Sequence, residues 1–411
     1  MTEYKRKGVD YLNPEKFATR AEIVQRVLGL WAPKPGTEVV PLAEAAWRVS
    51  AETLASTLNQ PFFRASFCDG IAVRSADFLN GPPETSAWKE GIDYVPADMG
   101  DDFDDAFDMV VNIEKVSFDE NGAIVIEPEP EAKSGLRIRT KGETLREGET
   151  AITAGAFIDP FKLGFLAGAG VNEISVLTKP KVAFIPTGTE LIPPGQAPKR
   201  GQTVESNGLM VGATLGLWRA DFKPFPIVVD QKEALEKTLN EALASCDIVL
   251  LNGGTSMGSE DLVSSALARK GSFFQHGVKA VPGLPMAVAL IDGKPVVNVP
   301  GPPFAAFCGM DWLVKPLVAH WSGQPCPQRR KVLAKLTKEI TKPGHFEFFH
   351  RLRLFKDESA NYMVDPISFF DRYAEATGRF NAIYIVPIGI ERIEAGEEIE
   401  AEVLYSEWAN V

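Results

Sequence analysis

Ile248-Val249-Leu250-Leu251 runs directly into Asn252-Gly253-Gly254-Thr255-Ser256-Met257-Gly258-Ser259-Glu260-Asp261, and the helical stretch Leu262–Ala268 follows. An apolar run of this length, bounded by a glycine-rich polar loop and then a helix, reads as a strand covered on both faces. The same pattern recurs on either side. Val182-Ala183-Phe184-Ile185 opens into Thr187-Gly188-Thr189-Glu190, and Val296-Val297-Asn298-Val299 opens into Pro300-Gly301-Pro302-Pro303 and an apolar helix. Ile227-Val228-Val229 is a further short apolar run, followed by the helical stretch Lys232–Ala244. Alternating strands and helices over this region predict an α/β domain with a mostly parallel sheet.

In open α/β sheets, ligands bind outside the carboxyl ends of the strands. Glycines there let backbone N–H groups approach an anion, and helix N-termini add positive partial charge. Glu190, Asp230 and Asp261 each follow a strand end, so together they could hold a hard cation such as Mg²⁺. Each also has a plainer reading. Asp230-Gln231-Lys232-Glu233 resembles a capping box, Glu190 could be a solvated turn residue, and the Gly-Gly loop could be structural. Gly254-Thr255-Ser256-Met257-Gly258 also fits the G-x-S-x-G pattern of a hydrolase elbow, which would need His276, His320, His345 or His350 as base. The two preceding glycines and the polar Ser-Glu-Asp tail suggest a wider loop than that elbow.

Outside this region the texture changes. Asn13-Pro14 opens a helical pattern through Phe17, Ile23, Val24, Val27 and Leu28, and a second follows Pro41 with Leu42, Ala45, Ala46, Val49 and Leu54. From about Pro61, short runs such as Ile71–Val73, Met109–Val111 and Ile124–Ile126 lie between turn residues and predict a β-rich module. Within it Ser66-Phe67-Cys68-Asp69-Gly70 precedes a strand; a lone Cys68 beside an acid is an inert thiol by default. The acidic run from Asp98 to Asp108 lacks the glycine of a calcium loop and reads as solvated. Asp159-Pro160 starts another helix that ends at Gly170. Beyond Gln324-Pro325-Cys326-Pro327 the pattern turns strand-like again. The expected domains are 1–60 plus 140–178, an inserted β domain at 61–139, the α/β domain at 179–326, and a C-terminal β domain at 327–411.

The 411 residues carry a net charge of −12, with 45% hydrophobic and 24% charged residues. That composition belongs to globular proteins, and the acidic balance argues against broad attachment to nucleic acid or anionic membrane. Any anionic ligand therefore needs local donors or a metal. No apolar run is long enough to span a bilayer, and the basic N-terminus lacks the apolar stretch of a secretory signal. Cys68, Cys246, Cys308 and Cys326 form no CxxC pair, the usage of a reducing compartment. The expectation is a cytoplasmic protein with neither nucleic-acid nor membrane partners.

In order and spacing, these segments resemble the molybdopterin molybdenumtransferases, the MoeA/gephyrin E-domain family. Cys68-Asp69-Gly70-Ile71-Ala72-Val73-Arg74 looks like the family's Met-Asp-Gly-Tyr-Ala-Val-Arg. Thr187-Gly188-Thr189-Glu190-Leu191 and Ser206-Asn207 follow its Thr-Gly-Asp-Glu-Leu and Ser-Asn elements. Gly253-Gly254-Thr255-Ser256-Met257-Gly258 with Asp261 matches its Gly-Gly-Val-Ser-Val-Gly loop, and Pro300-Gly301-Pro302-Pro303 its Pro-Gly-Asn-Pro. The resemblance implies a multidomain fold: a MogA-like α/β domain, an elongated helical domain, an inserted β domain and a C-terminal β-barrel. It implies a homodimer and Mg²⁺-dependent insertion of molybdate, or tungstate, into adenylylated molybdopterin with release of AMP. Asp69, Glu190, Asp230 and Asp261 fall on its acidic functional positions, with Glu190, Asp230 and Asp261 as metal candidates and Asp69 acting across the dimer. Thr187, Gly188, Ser206, Asn207, Gly253, Gly254, Thr255, Ser256, Gly258, Pro300, Gly301 and Pro303 are the implied ligand-binding positions. Other cofactor-biosynthesis enzymes or a molybdoenzyme acceptor are possible partners.

The departures are specific. The family's Lys-Pro-Gly-Lys-Pro is Val281-Pro282-Gly283-Leu284-Pro285, a third lysine position is Gly277, and an acidic position is Thr144. Neutral residues cannot replace the point charges that lysines place beside an oxyanion; Lys279 and His276 are the nearby compensating candidates. Two readings therefore stand, an active metal-inserting transferase and a paralogue that binds the pterin or nucleotide without inserting metal, with the serine hydrolase trailing both.

Overall fold

The apolar runs around residue 250 form the middle of a six-stranded sheet in the computed structural model, which describes residues 17–254, 262–368, 371 and 379–405. Its strands are β1 (Lys181–Pro186), β2 (Asp221–Pro224), β3 (Ile248–Asn252), β4 (Phe273–His276), β5 (Ala287–Ile291) and β6 (Lys294–Val299). In space they lie in the order β2-β1-β3-β6-β5-β4. The first four are parallel, and β5 and β4 add an antiparallel edge. β3 is buried at every position, because helices cover both faces.

One face, with Val182, Phe184, Ile248 and Leu250, packs on α1 (Arg20–Leu30), α2 (Asn207–Leu217) and α5 (Pro303–Gly309). The other, with Ala183, Ile185, Val249 and Leu251, packs on α3 (Lys232–Ser245) and α4 (Leu262–Lys270). Each of the larger side chains, valine upward, contributes roughly 1.5–3 kcal/mol by leaving water, so this two-sided core fixes the strand ends from which the loops emerge. α1 begins at a reciprocal capping box between Thr19 and Glu22; the earlier start at Asn13-Pro14 lies outside the described residues.

The chain after residue 327 closes into a five-stranded barrel of β7 (Lys331–Leu336), β8 (Glu347–Lys356), β9 (Tyr362–Pro366), β10 (Ala382–Val386) and β11 (Glu398–Val403). β8 pairs with β9 and β10, β9 with β7, β7 with β11, and β11 with β10. Alternate residues of β7 point inward, so Val332, Ala334 and Leu336 join Leu352, Leu354 and Val364 in its core.

Gly36–Thr178 is a compact unit of its own, and the chain on either side of it forms the other. α1 belongs with the α/β layer and barrel, where the sequence reading grouped residues 1–60 with 140–178. Within Gly36–Thr178, strand Thr37–Pro41 pairs antiparallel with Glu173–Leu177. Gly70–Val73 lies between Tyr94–Ala97 and Met109–Asn112, the β module expected there. Helix Pro160–Gly168 starts as read, with the Asp159 side chain accepting from Lys162 N. The second helical pattern is corrected. After Pro41 there is only a 3₁₀ turn, Leu42–Glu44, and Trp47 takes a left-handed φ of 66°. Its N–H and that of Ser50 donate to Ile158 and Ala156 carbonyls, so the apolar spacing is satisfied by packing rather than by a helix.

A second correction concerns Ile227–Val229, which makes only a single bridge, Thr187 to Val228; the strand at that edge is β2. No helix among the described residues is long and apolar enough to cross a membrane, and all four cysteines are free.

Candidate functional site at the carboxyl ends of the parallel strands

β1, β3 and β6 all end on the same side of the sheet, and their loops form an open cleft of about 310 Å³ with the start of α2 and Asp230. Of the expected positions, the structure brings together Thr187, Gly188, Glu190, Ser206, Asn207, Asp230, Gly253, Gly254, Gly301 and Pro303 as its lining. Pro300 is buried behind them and presents its carbonyl to Asn252. Thr255, Ser256, Gly258 and Asp261 lie outside the described residues. Asp69 is exposed on the separate unit Gly36–Thr178, its Oδ1 accepting from Met99 N at 2.8 Å.

The loop geometry follows from residue size. Gly253 has φ 93°, and a Cβ there would sit 2.5 Å from the Thr187 carbonyl oxygen. Only glycine allows the β3 loop to pass that close to the β1 loop. Glu190 is tied in through its backbone, its carbonyl accepting from Thr203 N at 2.9 Å.

Asp230 does not cap α3. The N-cap position is Gln231, without a side-chain cap bond. The Asp230 carboxylate instead accepts from Thr189 N at 3.1 Å and Thr189 Oγ at 3.3 Å, which joins it to the β1 loop beside Glu190.

Two lining residues with a clear structural part, Glu205 and Asn252, were not singled out by the sequence reading. Glu205 stands before Ser206-Asn207, and its Oε1 accepts from Gly208 N at 2.9 Å; it, and not Ser206, caps α2. Asn252 ends the apolar run of β3 and is 3% exposed. A polar residue closing an otherwise apolar strand was the available signal for it, and a carboxylate two residues ahead of a helix start was the signal for Glu205.

The cleft is acidic. Glu190, Glu205 and Asp230 line it, and no lysine, arginine or histidine does among the described residues. His320 contacts the Trp31 carbonyl, and His350 is on a barrel strand. Among the described residues no three His, Cys, Asp or Glu side chains converge as an ion site.

The departures have structural counterparts. Gly277 has φ 87°, and a Cβ there would lie 2.4 Å from the Phe17 ring, so a lysine at this position would be strained and blocked. Thr144 accepts from Arg139 at 2.7 Å. Burial raises the Cys68 thiol, which keeps it protonated and unreactive.

Comparison with known proteins matches the same parts. Residues 18–170 match the MoeA N-terminal region (domain I and II), and residues 183–320 match a probable molybdopterin binding domain. The molybdopterin molybdenumtransferase of Haemophilus influenzae is 29% identical over 336 residues, 78% of each chain. Molybdopterin molybdenumtransferase 2 of Mycobacterium tuberculosis is 27% identical, covering 88% of this chain and 93% of its own. The crystal structure of the MoeA molybdopterin biosynthesis protein from Pyrococcus horikoshii superposes with a TM-score of 0.74 at 26% identity, covering 94% of this chain and 99% of that one. With both sequence modules in order and the whole fold shared, the chain belongs to the MoeA family of molybdopterin molybdenumtransferases.

Proposed function

We propose that the chain inserts molybdate, or tungstate, into adenylylated molybdopterin, releasing AMP, in the last steps of molybdenum cofactor assembly. The observation that carries this reading is the cleft itself: strand-end loops rich in glycine, opposite Glu190 and Asp230. A phosphate brought there meets carboxylates, not lysines, so the pair needs a cation between them. Hard carboxylate and hydroxyl oxygens are the donor set of Mg²⁺, which commonly binds through one or two carboxylates plus substrate phosphates. Glu190 and Asp230 would hold it, with Asp261 joining them by the family resemblance. When bound, it would supply positive charge to the phosphate oxygens. The chain's own part is to orient: Thr189 holds the Asp230 carboxylate, Gly253 lets the β3 loop close on Thr187, and Asn207 stands at the start of α2. Asp69, the homodimer and an acceptor enzyme enter this reading through the resemblance alone.

A second reading, binding of the pterin nucleotide without metal insertion, is favoured by one observation. Phe17 packs over Gly277, and Val281 and Leu284 stand at the other lysine positions. The test is turnover of purified protein with adenylylated molybdopterin and Mg²⁺, supplied with molybdate, tungstate or neither. Oxyanion-dependent AMP release with metal retained on the pterin is the expected result. Tight binding without AMP release would establish the second reading instead, and Asp261→Ala should abolish AMP release.

A further inference from the structure

Asn252 is the point at which the strand-end loops are joined. Its carbonyl accepts from Thr187 N at 2.8 Å and Thr187 Oγ at 3.2 Å, tying β3 to the β1 loop. Its side-chain Nδ2 donates to the Pro300 carbonyl at 2.8 Å, tying β3 to the β6 loop. Its Oδ1 accepts from Asn207 Nδ2 at 2.9 Å, tying β3 to the start of α2. Asn207 Nδ2 also donates to the Gly301 carbonyl at 2.7 Å. Four segments of the cleft wall thus meet on one buried residue, through its carbonyl and its side-chain amide, and on its neighbour Asn207.

The amide chain can run in only one direction. Pro300 and Gly301 offer carbonyl oxygens, which accept and never donate. Asn252 must turn its NH₂ toward Pro300, which leaves its oxygen to receive Asn207. Asn207 must turn its NH₂ toward Gly301 and Asn252. Both side chains are buried, at 3% and 6% exposure, so water cannot substitute for a lost bond without cost.

We propose that Asn252 is the positioning residue of this cleft: its amide locks the Pro300–Gly301 loop to α2 and so sets the shape in which ligand is received. The proposal rests on the cleft being the pterin nucleotide site, yet the lock itself is independent of any ligand.

Aspartate tests the direction of the chain. A protonated carboxyl keeps one donor for Pro300 and one acceptor for Asn207, whereas a carboxylate has no donor and repels the Pro300 oxygen. Burial, with Glu190, Glu205 and Asp230 lining the same cleft, favours the protonated form of the introduced acid. The pairing is therefore present at acid pH and lost as pH rises.

The experiment compares the parent, Asn252→Asp and Asn252→Leu between pH 5 and 9. One readout is amide exchange of residues 299–307, corrected for intrinsic rates and without ligand; the other is affinity for adenylylated molybdopterin. Asn252→Asp should match the parent at pH 5 and lose protection and affinity by about tenfold toward pH 9. Asn252→Leu should lose both at every pH. The proposal is overturned if Asn252→Leu keeps the parent's exchange and affinity, or if Asn252→Asp follows the parent throughout. If the parent binds no pterin nucleotide, the functional reading fails while the exchange arm still decides the lock.

Discussion

Asp230 had two uses open to it, capping α3 or facing the cleft. The hydrogen bonds from Thr189 settle the geometry: the carboxylate is turned to the β1 loop, and α3 starts at Gln231 without it. Because the side chain is exposed and caps nothing, Asp230→Ala should leave the melting temperature close to the parent's while lowering AMP release by on the order of 10²-fold. Equal losses in both would make Asp230 a structural residue. His350 presents a different case. Burial, and secondarily the Arg351 charge, push its imidazole down to about 4. The unfolded chain binds a proton near pH 6.5 and the folded chain does not, so stability is present above that value and lost as pH falls toward 4. Urea unfolding between pH 7 and 4.5 should show this slope, and His350→Gln should flatten it.

Elements with local chemistry were legible before any coordinates. Asp159-Pro160 marks its helix because the cap and the fixed proline φ both act within one turn. Asp159→Ala should bring an earlier unfolding of Gly36–Thr178 by denaturant; an unchanged midpoint would remove the cap's contribution. The buried runs of β1, β3 and β6 were equally plain, since covered strands need continuous apolar residues. The edge was not. Ile227–Val229 is the more strand-like sequence, but the pairing settles on Asp221–Pro224, and Pro226, which has no N–H, breaks the ladder before Val228 resumes it as a single bridge. The pattern after Pro41 misled for the converse reason, because apolar spacing of three and four also suits an irregular segment packed by tertiary contacts. In the cleft, glycine-rich loops were visible from sequence. The joining role of Asn252 was not, since it depends on carbonyls contributed from some 48 residues downstream.

At the scale of the molecule, the charge of −12 and the acidic cleft act together. Neither the overall field nor any charged side chain of the described cleft walls attracts an anion, so binding of the pterin nucleotide should depend on a divalent ion. Chelation with EDTA should weaken binding by tenfold or more, with recovery on adding Mg²⁺; undiminished affinity in EDTA would place the cation requirement elsewhere. Glu129 gives Gly36–Thr178 its own acid sensitivity. Its side chain is 2% exposed, and bonds from Arg137 and Lys115 outweigh the cost of burial and hold it below the usual carboxylate range. That contribution is present above about pH 4.5 and disappears as pH falls further.

The closure of the C-terminal barrel carries one more consequence. Removing the last strand of an open sheet merely moves its border inward by one strand. Here β11 is held on one side by β7 and on the other by β10. A chain stopped before Glu398 would bare two unpaired borders at once, on strands with inward apolar residues, and bare strand borders recruit other chains. Truncations at this end should fail by aggregation, because each exposes strand borders that closure of the ring keeps paired.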